Sequence, residues 1–517
     1  MAKPKVRMPV QTLRVDERPG AAASSLDASP AASEVLARTA AAPWWIAFSF
    51  LAVLGLVMVW LPISRISAHY EINYNEGWNA YQQQVVADGG RVYGQAPVYE
   101  YANYPPVSFH VVGWLARLTH DVNGTGRWVS LLAFLALVAL TGLAVERLTG
   151  SLRCAVFSAL WVVVLIGALK SERIGMNDPH LLGMAFVAFG VYAYVRAPES
   201  PLWLRISAVA FVAGIFTKQS LLAFPLAVSI QLLLASRKHL VTWIVAGAAA
   251  AAVLLGLTFA LDGPHLLEHL ALPRVYSYAF FLSNIVWYLL MFQAAIVACL
   301  VWCFRYKPGS AAGLLVWGFA AANALAFWFS AGAGTDLNHF FDSAVVMSMI
   351  GGVALPYAVW ASEKVRFRSA LLTILLTVPF SIGVLTMLAP RVQEDLGTSR
   401  SIPRLEQEFA AAVQFVKSQP GPALCEHLLV CFEAGKPEDY DPFQMDQLVK
   451  TGKLAETSIL KMLDDRHFST IQLLMDENHP LAPVERPGFS QAFMTKLLSD
   501  YKLAMRTSTY AILVPNR

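Results

Sequence analysis

The chain has 517 residues, 56% of them hydrophobic and 14% charged, with a mean hydropathy of +0.50, where a soluble domain carries roughly 25% charged residues. This composition argues against a water-soluble globule, and apolar runs longer than about 18 residues recur, which places much of the chain in a bilayer. A net charge of +4 without a long basic block gives no footing for a nucleic-acid partner, and five cysteines with no C-x-x-C pair are too few for a disulfide scaffold.

Residues 1–43 are rich in Ala, Ser, Pro and charge and lack hydrophobic periodicity, which reads as a disordered cytoplasmic tail. The apolar run 44–63 is too long for a signal-peptide core and has no small-residue cleavage site after it, so it reads as a retained first span. Further spans are expected at 128–147, 154–170, 180–196, 203–217, 219–235, 240–261, 281–303, 311–331, 340–360 and 369–389, eleven in all. Basic turns at Arg147 and Arg153, Arg196 and Arg205, Arg237 and Lys238, Arg305 and Lys307, and Lys364, Arg366 and Arg368 face the cytoplasm by the positive-inside rule, as do Lys3, Lys5 and Arg7. The chain therefore divides into the tail, a membrane module at 44–389 with a first external loop at 64–127, and an external unit at 390–517 that is periplasmic in a Gram-negative cell. The external segments 64–127, 171–179, the tip near Lys218, 262–280 and 332–339 hold nearly all the unusual polar residues. That asymmetry points to chemistry at the outer face, because a pathway through the bilayer needs ionisable groups near its midplane.

In the first loop, Trp78, Tyr81 and Val85 share a helical face over 76–87, and Gly89-Gly90 ends the segment, as expected of an interfacial helix. A second stretch, 105–118, opens with Pro105-Pro106 and is too short to span. Asn73, Asn75 and Glu76 stand at the start of the first helix, where the helix dipole favours an ionised carboxylate. Glu76 reads either as an ordinary helix-start acid or as a base that must already be deprotonated. The run Asn75-Glu76-Gly77-Trp78-Asn79-Ala80-Tyr81, the following Tyr104-Pro105-Pro106 and the two-helix loop resemble the GT-C-fold glycosyltransferases, among them the protein O-mannosyltransferases and the aminoarabinose transferases of lipid A. The resemblance covers the whole chain in layout: a many-span helical core with a small terminal α/β unit outside. In that family an acidic pair opens the first loop and supplies the catalytic carboxylate. Asn75 stands where the first acid often is, so the resemblance gives the role to Glu76 alone.

Residues 170–180 form an unusually polar connection. Asp178 reads as a helix cap with Pro179 at the first helical position, or as a second catalytic acid; capping does not explain Arg173 and His180 nearby. The resemblance implies that this loop, Asn177 included, contacts the sugar or its phosphate. Lys218, between two apolar runs, reads as a snorkelling lysine or as a cation for a lipid phosphate, with Arg173 and Arg274 as possible companions and Arg274 otherwise a membrane anchor. Asp336, Asn338 and His339 sit in a Gly-rich tip as caps or as pocket lining. Asn75, Tyr104, Arg173, Asn177, His180, Lys218, Gln219, Arg274, Asn338 and His339 make up the expected substrate-binding set. His265-Leu266-Leu267-Glu268-His269 matches an H-x-x-E-H zinc pattern, but no third ligand is evident, so a polar boundary helix is the preferred reading.

Beyond residue 390 the pattern is that of a small α/β unit, with helices at 401–417, 443–449, 456–464 and 488–500 and strands at 422–425, 469–475 and 509–514. Cys425 and Cys431, the external cysteines, read as a disulfide, which an oxidising compartment would allow, or as two buried thiols. Tyr440, Asp441, Pro442 and Phe443 read as a structural turn, with an approach to the pocket as the alternative.

The expected function is transfer of a sugar from a polyprenyl-phosphate donor to a hydroxyl of a glycan, lipid or protein at the outer face of the inner membrane, with inversion. Glu76 is expected to be the base, Asp178 a second acid, and Lys218 with Arg173 to stabilise the departing phosphate. The donor follows from location, since nucleotide sugars are cytoplasmic and no nucleotide-binding Gly motif occurs in context. No cofactor is expected, with a divalent cation left open. The alternatives are a secondary transporter or lipid-linked sugar flippase, which internal repeats or midplane charges would favour, and a polysaccharide polymerase or ligase.

Overall fold

Apolar runs in a bilayer become helices because only there does each segment satisfy its own backbone N–H and C=O groups. The computed structural model describes residues 36, 41–94, 101–305, 313–363, 365–475 and 480–516; the expected tail at 1–43 lies almost entirely outside them. In chain order, α1 (Ala41–Ser64) leads to the first loop with α2 (Asn75–Ala87) and α3 (Val107–Thr119), followed by α4 (Val122–Thr149), α5 (Leu152–Lys170), α6 (His180–Val195), α7 (Pro201–Ile215), α8 (Ala223–Ala235) and α9 (Arg237–Leu261). The one-turn α10 (Leu266–Leu270), α11 (Tyr278–Arg305), α12 (Gly313–Phe329), α13 (Phe341–Glu363) and α14 (Arg368–Ser418) complete the helical part.

Every expected span falls on one of these helices, but length and composition support a crossing for seven: α1, α4, α5, α9, α11, α13 and α14. The remaining four, α6, α7, α8 and α12, are apolar yet only 10–17 residues long. Between α7 and α8 the polar Thr217–Ser220 stretch takes the chain out of helix, which shortens both neighbours. The core runs through the bundle from α1, α4, α5 and α6 to α8, α12, α13 and α14, where Phe157, Trp161, Phe224, Phe341 and Phe380 are buried. Large apolar side chains on α9 and α11, such as Val241, Val253, Phe259, Trp287 and Val297, point outward instead, as a lipid-facing surface would.

The boundary expected at 390 falls inside one element. α14 runs for 51 residues through Pro379, Pro390 and Pro403, so the last span and the helix expected at 401–417 are a single rod. Each proline omits one backbone bond, but packing of α14 on α1, α11 and α13 at one end and on the terminal unit at the other keeps it continuous. The terminal sheet has strand order β1-β2-β4-β3, formed by β1 (Ala423–Cys425), β2 (Thr470–Leu474), β3 (Tyr501–Arg506) and β4 (Tyr510–Pro515). β1 and β2 are parallel and the other pairs antiparallel. The helices α15 (Leu428–Glu433), α16 (Pro442–Lys450), α17 (Glu456–Asp464) and α18 (Gln491–Asp500) accompany it. Successive β4 residues alternate faces: Tyr510 and Ile512 pack toward α14 and the first loop, Ala511 and Leu513 toward α16, α17 and α18.

One buried ion pair fixes the first loop. Arg127 near the start of α4 donates from Nε to Glu76 Oε1 at 2.7 Å and from Nη2 to Oε2 at 2.7 Å, with the two side chains 2% and 0% exposed. The same guanidinium donates to the Tyr70 carbonyl at 2.6 Å and to that of Ala68. Glu76 also accepts from the amides of Ile72 at 2.8 Å and Asn177 at 3.2 Å. Two parallel N–H···O bonds between charged groups are short, strong and orienting, so the loop, α4 and the 174–178 turn are held as one piece.

The terminal unit is seated on this piece. A disulfide joins Cys425 and Cys431, with Cα atoms 5.8 Å apart, and the backbone of the loop it closes lies directly on Gly77: an added Cβ there would stand 2.1 Å from Leu429 N and 2.5 Å from Leu428 C. The Leu429 amide donates to Glu71 at 3.0 Å, Tyr81 to the Lys436 carbonyl at 2.9 Å and Gln82 to Glu438 at 3.0 Å.

Two outcomes follow for stability. Glu76→Gln leaves the Arg127 charge buried without its counter-charge, which costs about 3–5 kcal/mol, so the melting temperature in detergent drops markedly; an unchanged value would show the pair to be dispensable. Gly77→Ala forces backbone apart and is expected to cost about 1–3 kcal/mol, read as earlier proteolysis of the terminal unit with the helical part left intact.

Candidate active site

A cavity of about 420 Å³ opens where the first loop, the 217–220 turn, the 270–276 and 329–339 segments and the start of α16 meet. Eight of the expected residues line it: Asn75, Tyr104, Arg173, Lys218, Gln219, Arg274, Asn338 and His339. They arrive on separate elements, and local bonds explain each placement. Lys218 follows the C-terminal end of α7, its amide bonded to the Gly214 carbonyl at 2.9 Å, and its ammonium lies 5.0 Å from the centre of the Tyr104 ring. Gln219 donates to the Asn103 carbonyl at 2.9 Å. Arg274 lies over the Phe443 ring at 5.8 Å and donates to the Ala333 carbonyl at 3.4 Å.

Asp178 stands behind the wall rather than on it. Its carboxylate pairs with Arg173 at 2.7 Å and reaches Lys218 at 4.0 Å, while Asn75 donates to it at 3.3 Å and the His180 amide at 2.8 Å. Burial opposes its ionisation, but Lys218, Arg173 and these two donors outweigh burial and hold the carboxyl below the usual range. The helix starts one residue later than expected, with Pro179 rather than Asp178 at the cap position, yet Asp178 still accepts from its first amide and also orients two cations that face the cavity. Arg173 is also within 3.6 Å of Asp336, which pairs with Lys170 at 3.0 Å. Lys218 remains mainly under the influence of burial, which brings its ammonium down to about 8 despite Asp178.

Glu76 departs from its expected position at a cavity mouth. It is fully buried, both oxygens are taken by Arg127 and by the Ile72 and Asn177 amides, and it does not line the cavity. The first-turn location is as expected; the partner on α4, 51 residues away, draws the carboxylate inward. Asn177 is also withdrawn, exchanging two side-chain bonds with Gln83 at 2.8 and 2.7 Å, and His180 is buried against Phe341 with its Nδ1 3.0 Å from Asn338 Nδ2. The H-x-x-E-H histidines diverge: His265 pairs with Glu268 at 2.9 Å, while His269 accepts from the Ala102 amide at 2.9 Å. Among the described residues no group of three His, Cys, Asp or Glu is placed to hold a metal.

Other lining residues had no place in the expected substrate-binding set, among them Tyr74, Trp78, Asn103, Asp441, Phe443 and Gln444. The last three come from the terminal unit. Phe443 reaches across to Tyr74, ring centres 6.0 Å apart, and presses on Gly334, where a Cβ would lie 2.4 Å from its Cζ and where φ is +71°. Val275 N donates to Gln447 at 3.0 Å beside it. The segment Tyr440, Asp441, Pro442 and Phe443 was expected as a structural turn, with an approach to the pocket as the alternative; Asp441 and Phe443 do line the chamber, which depends on the docking through Gly77 and Gly334.

The layout is shared with solved membrane proteins. ArnT from Cupriavidus metallidurans bound to undecaprenyl phosphate matches with a TM-score of 0.56 and 14% identity over 92% of this chain and 98% of that one. Its apo state matches with a TM-score of 0.52 over the same shares, also at 14% identity. An Archaeoglobus fulgidus oligosaccharyltransferase, solved with a tethered acceptor peptide, matches with a TM-score of 0.50 and 12% identity over 83% of this chain and 69% of that one. No family model and no curated protein matches the sequence. The likeness to ArnT extends over nearly the whole length of both chains, and this chain has the GT-C fold.

Proposed function

We propose that this protein is a glycosyltransferase that moves a sugar from a polyprenyl-phosphate donor to a hydroxyl of a glycan, lipid or protein acceptor at the outer face of the membrane, with inversion. The observation that carries the reading is the convergence of Arg173, Lys218 and Arg274 on one cavity. Three cations on a partly dehydrated wall suit a lipid-borne phosphate, both when the donor binds and when charge builds on the leaving oxygen. Tyr74, Trp78, Tyr104 and Phe443 offer aromatic faces to a sugar ring, while Asn75, Asn103, Gln219 and Asn338 offer directional hydrogen bonds. The structure of ArnT with undecaprenyl phosphate supports the donor class.

Asp178 acts through Arg173 and Lys218, as a positioning residue. Side-chain cations fill the role a divalent ion would have at the phosphate, so the reaction proceeds without an added metal. The four short apolar helices also cross the bilayer in this reading, which brings the terminal unit to the periplasmic side of the inner membrane. The Cys425–Cys431 disulfide supports that placement, because such bonds persist in oxidising compartments.

Purified protein in liposomes, offered a panel of polyprenyl-phosphate sugars and acceptor extracts, is expected to form a covalently glycosylated product, with EDTA present or absent. Lys218→Gln should lower the rate by about 10²–10³-fold. Movement of donor across the bilayer without any covalent product would replace the transferase reading with transport. The Lys218 ammonium is charged below about 8 and neutral above it, so affinity for undecaprenyl phosphate should hold to neutral pH and fall as pH rises past about 8. Lys218→Arg should abolish that fall; an identical decline in the arginine variant would assign it to another group.

A further inference from the structure

The two acids singled out in the sequence are both engaged in ion pairs, and neither reaches the cavity wall. Removing a proton from an acceptor hydroxyl requires a base within hydrogen-bond reach of the reacting oxygen. Among the described residues that line the cavity, one carries a carboxylate: Asp441, delivered by the terminal unit. Resting on the transferase reading above, we propose that Asp441 is the catalytic base.

Asp441 is 4% exposed and opens α16, with one carboxylate oxygen accepting from the Gln444 amide at 3.1 Å and Pro442 at the first helical position. Its neighbour Phe443 lies between Tyr74 and Arg274, so the carboxylate belongs to the same chamber as the cations assigned to the phosphate. Burial pushes its carboxyl up to about 6, against the Gln444 and Phe443 amides and Arg274. A base of that strength is ionised at neutral pH and still accepts a proton readily. Of the charged groups Arg274 acts on it, Tyr74 feels its charge in turn, and Arg173, Lys218, His339 and Tyr104 share the wall.

In the step itself, the acceptor O–H proton passes to a carboxylate oxygen of Asp441 while the hydroxyl oxygen forms its bond to the anomeric carbon. The bond from that carbon to the phosphate oxygen breaks, its electron pair leaving with the lipid phosphate beside Arg173, Lys218 and Arg274. Asp441 then returns the proton to solvent.

Asp is also a favoured helix cap, so the test uses replacements that cap equally well, Asp441→Asn and Asp441→Ser. Full-length protein in liposomes is assayed with the polyprenyl-phosphate sugar panel between pH 5 and 9, and melting temperature and undecaprenyl phosphate binding are measured on the same preparations. The wild-type rate should rise through about pH 6 and decline beyond about 8. Both variants should lose about 100-fold or more in rate, keep melting temperature and lipid-phosphate affinity, and lose the acidic limb; Asp441→Glu should restore part of the rate. Rates within about threefold of wild type, or a rate loss that travels with lost binding or lost stability, would overturn the assignment and leave the transferase reading standing. No product from the wild-type protein across the panel would remove both.

Discussion

A guanidinium and a carboxylate, each almost without solvent contact, hold the first loop, α4 and the 174–178 turn in register. Arg127 and Glu76 gain their strength from geometry as much as charge: two matched N–H···O bonds, two loop carbonyls on the remaining guanidinium hydrogens, and two backbone amides on the remaining carboxylate lone pairs. Everything nearer the cavity is built outward from this knot. It sets the start of α2, which places Asn75; Asn75 bonds to Asp178; Asp178 orients Arg173 and Lys218. Removal of the knot would act on the cavity indirectly, through the loop that carries its wall.

The buried charges follow one rule along this chain of contacts. Three acids along it are each matched by a cation: Glu76 by Arg127 on α4, Asp178 by Arg173 five residues before it, and Asp336 by Lys170. Of the two cations beside Asp178, Lys218 is the less closely matched, at 4.0 Å against 2.7 Å for Arg173, and both are turned to the cavity. A site of this kind presents positive charge without being a bare cluster of repelling cations, because the compensating acids stand one layer behind.

Much of this organisation is legible in one dimension. The apolar runs located all the helices of the bundle, the Trp78, Tyr81 and Val85 spacing located α2, and the three inner strands followed from short apolar runs bounded by turn residues. β3 was missed because Tyr501–Arg506 is an edge strand with one buried residue, an irregularity after Leu503 and no clean alternation. α15 is six residues long, too short for periodicity to register. The change of pattern beyond 390 suggested an end to the last span, but a fall in hydropathy does not end a helix, and packing at both ends keeps α14 continuous. The cavity residues of the bundle loops were recognisable because polar groups stand out in apolar sequence. The fate of Glu76 was not, and the arrival of Asp441 stood only as an alternative to a structural turn, since each depends on a partner surface far along the chain: Arg127 in one case, the glycine seats in the other.

The unbroken course of α14 has a mechanical consequence. A rod whose first half packs within the bundle and whose second half supports the sheet cannot pivot at the water boundary as a jointed linker would. Bending compliance is confined to the turns around Pro379, Pro390 and Pro403, where a rung of the hydrogen-bond ladder is absent. A change in helix tilt imposed by bilayer thickness is thereby converted into displacement of the roof over the chamber, so the membrane itself becomes a mechanical input to how tightly the chamber is closed.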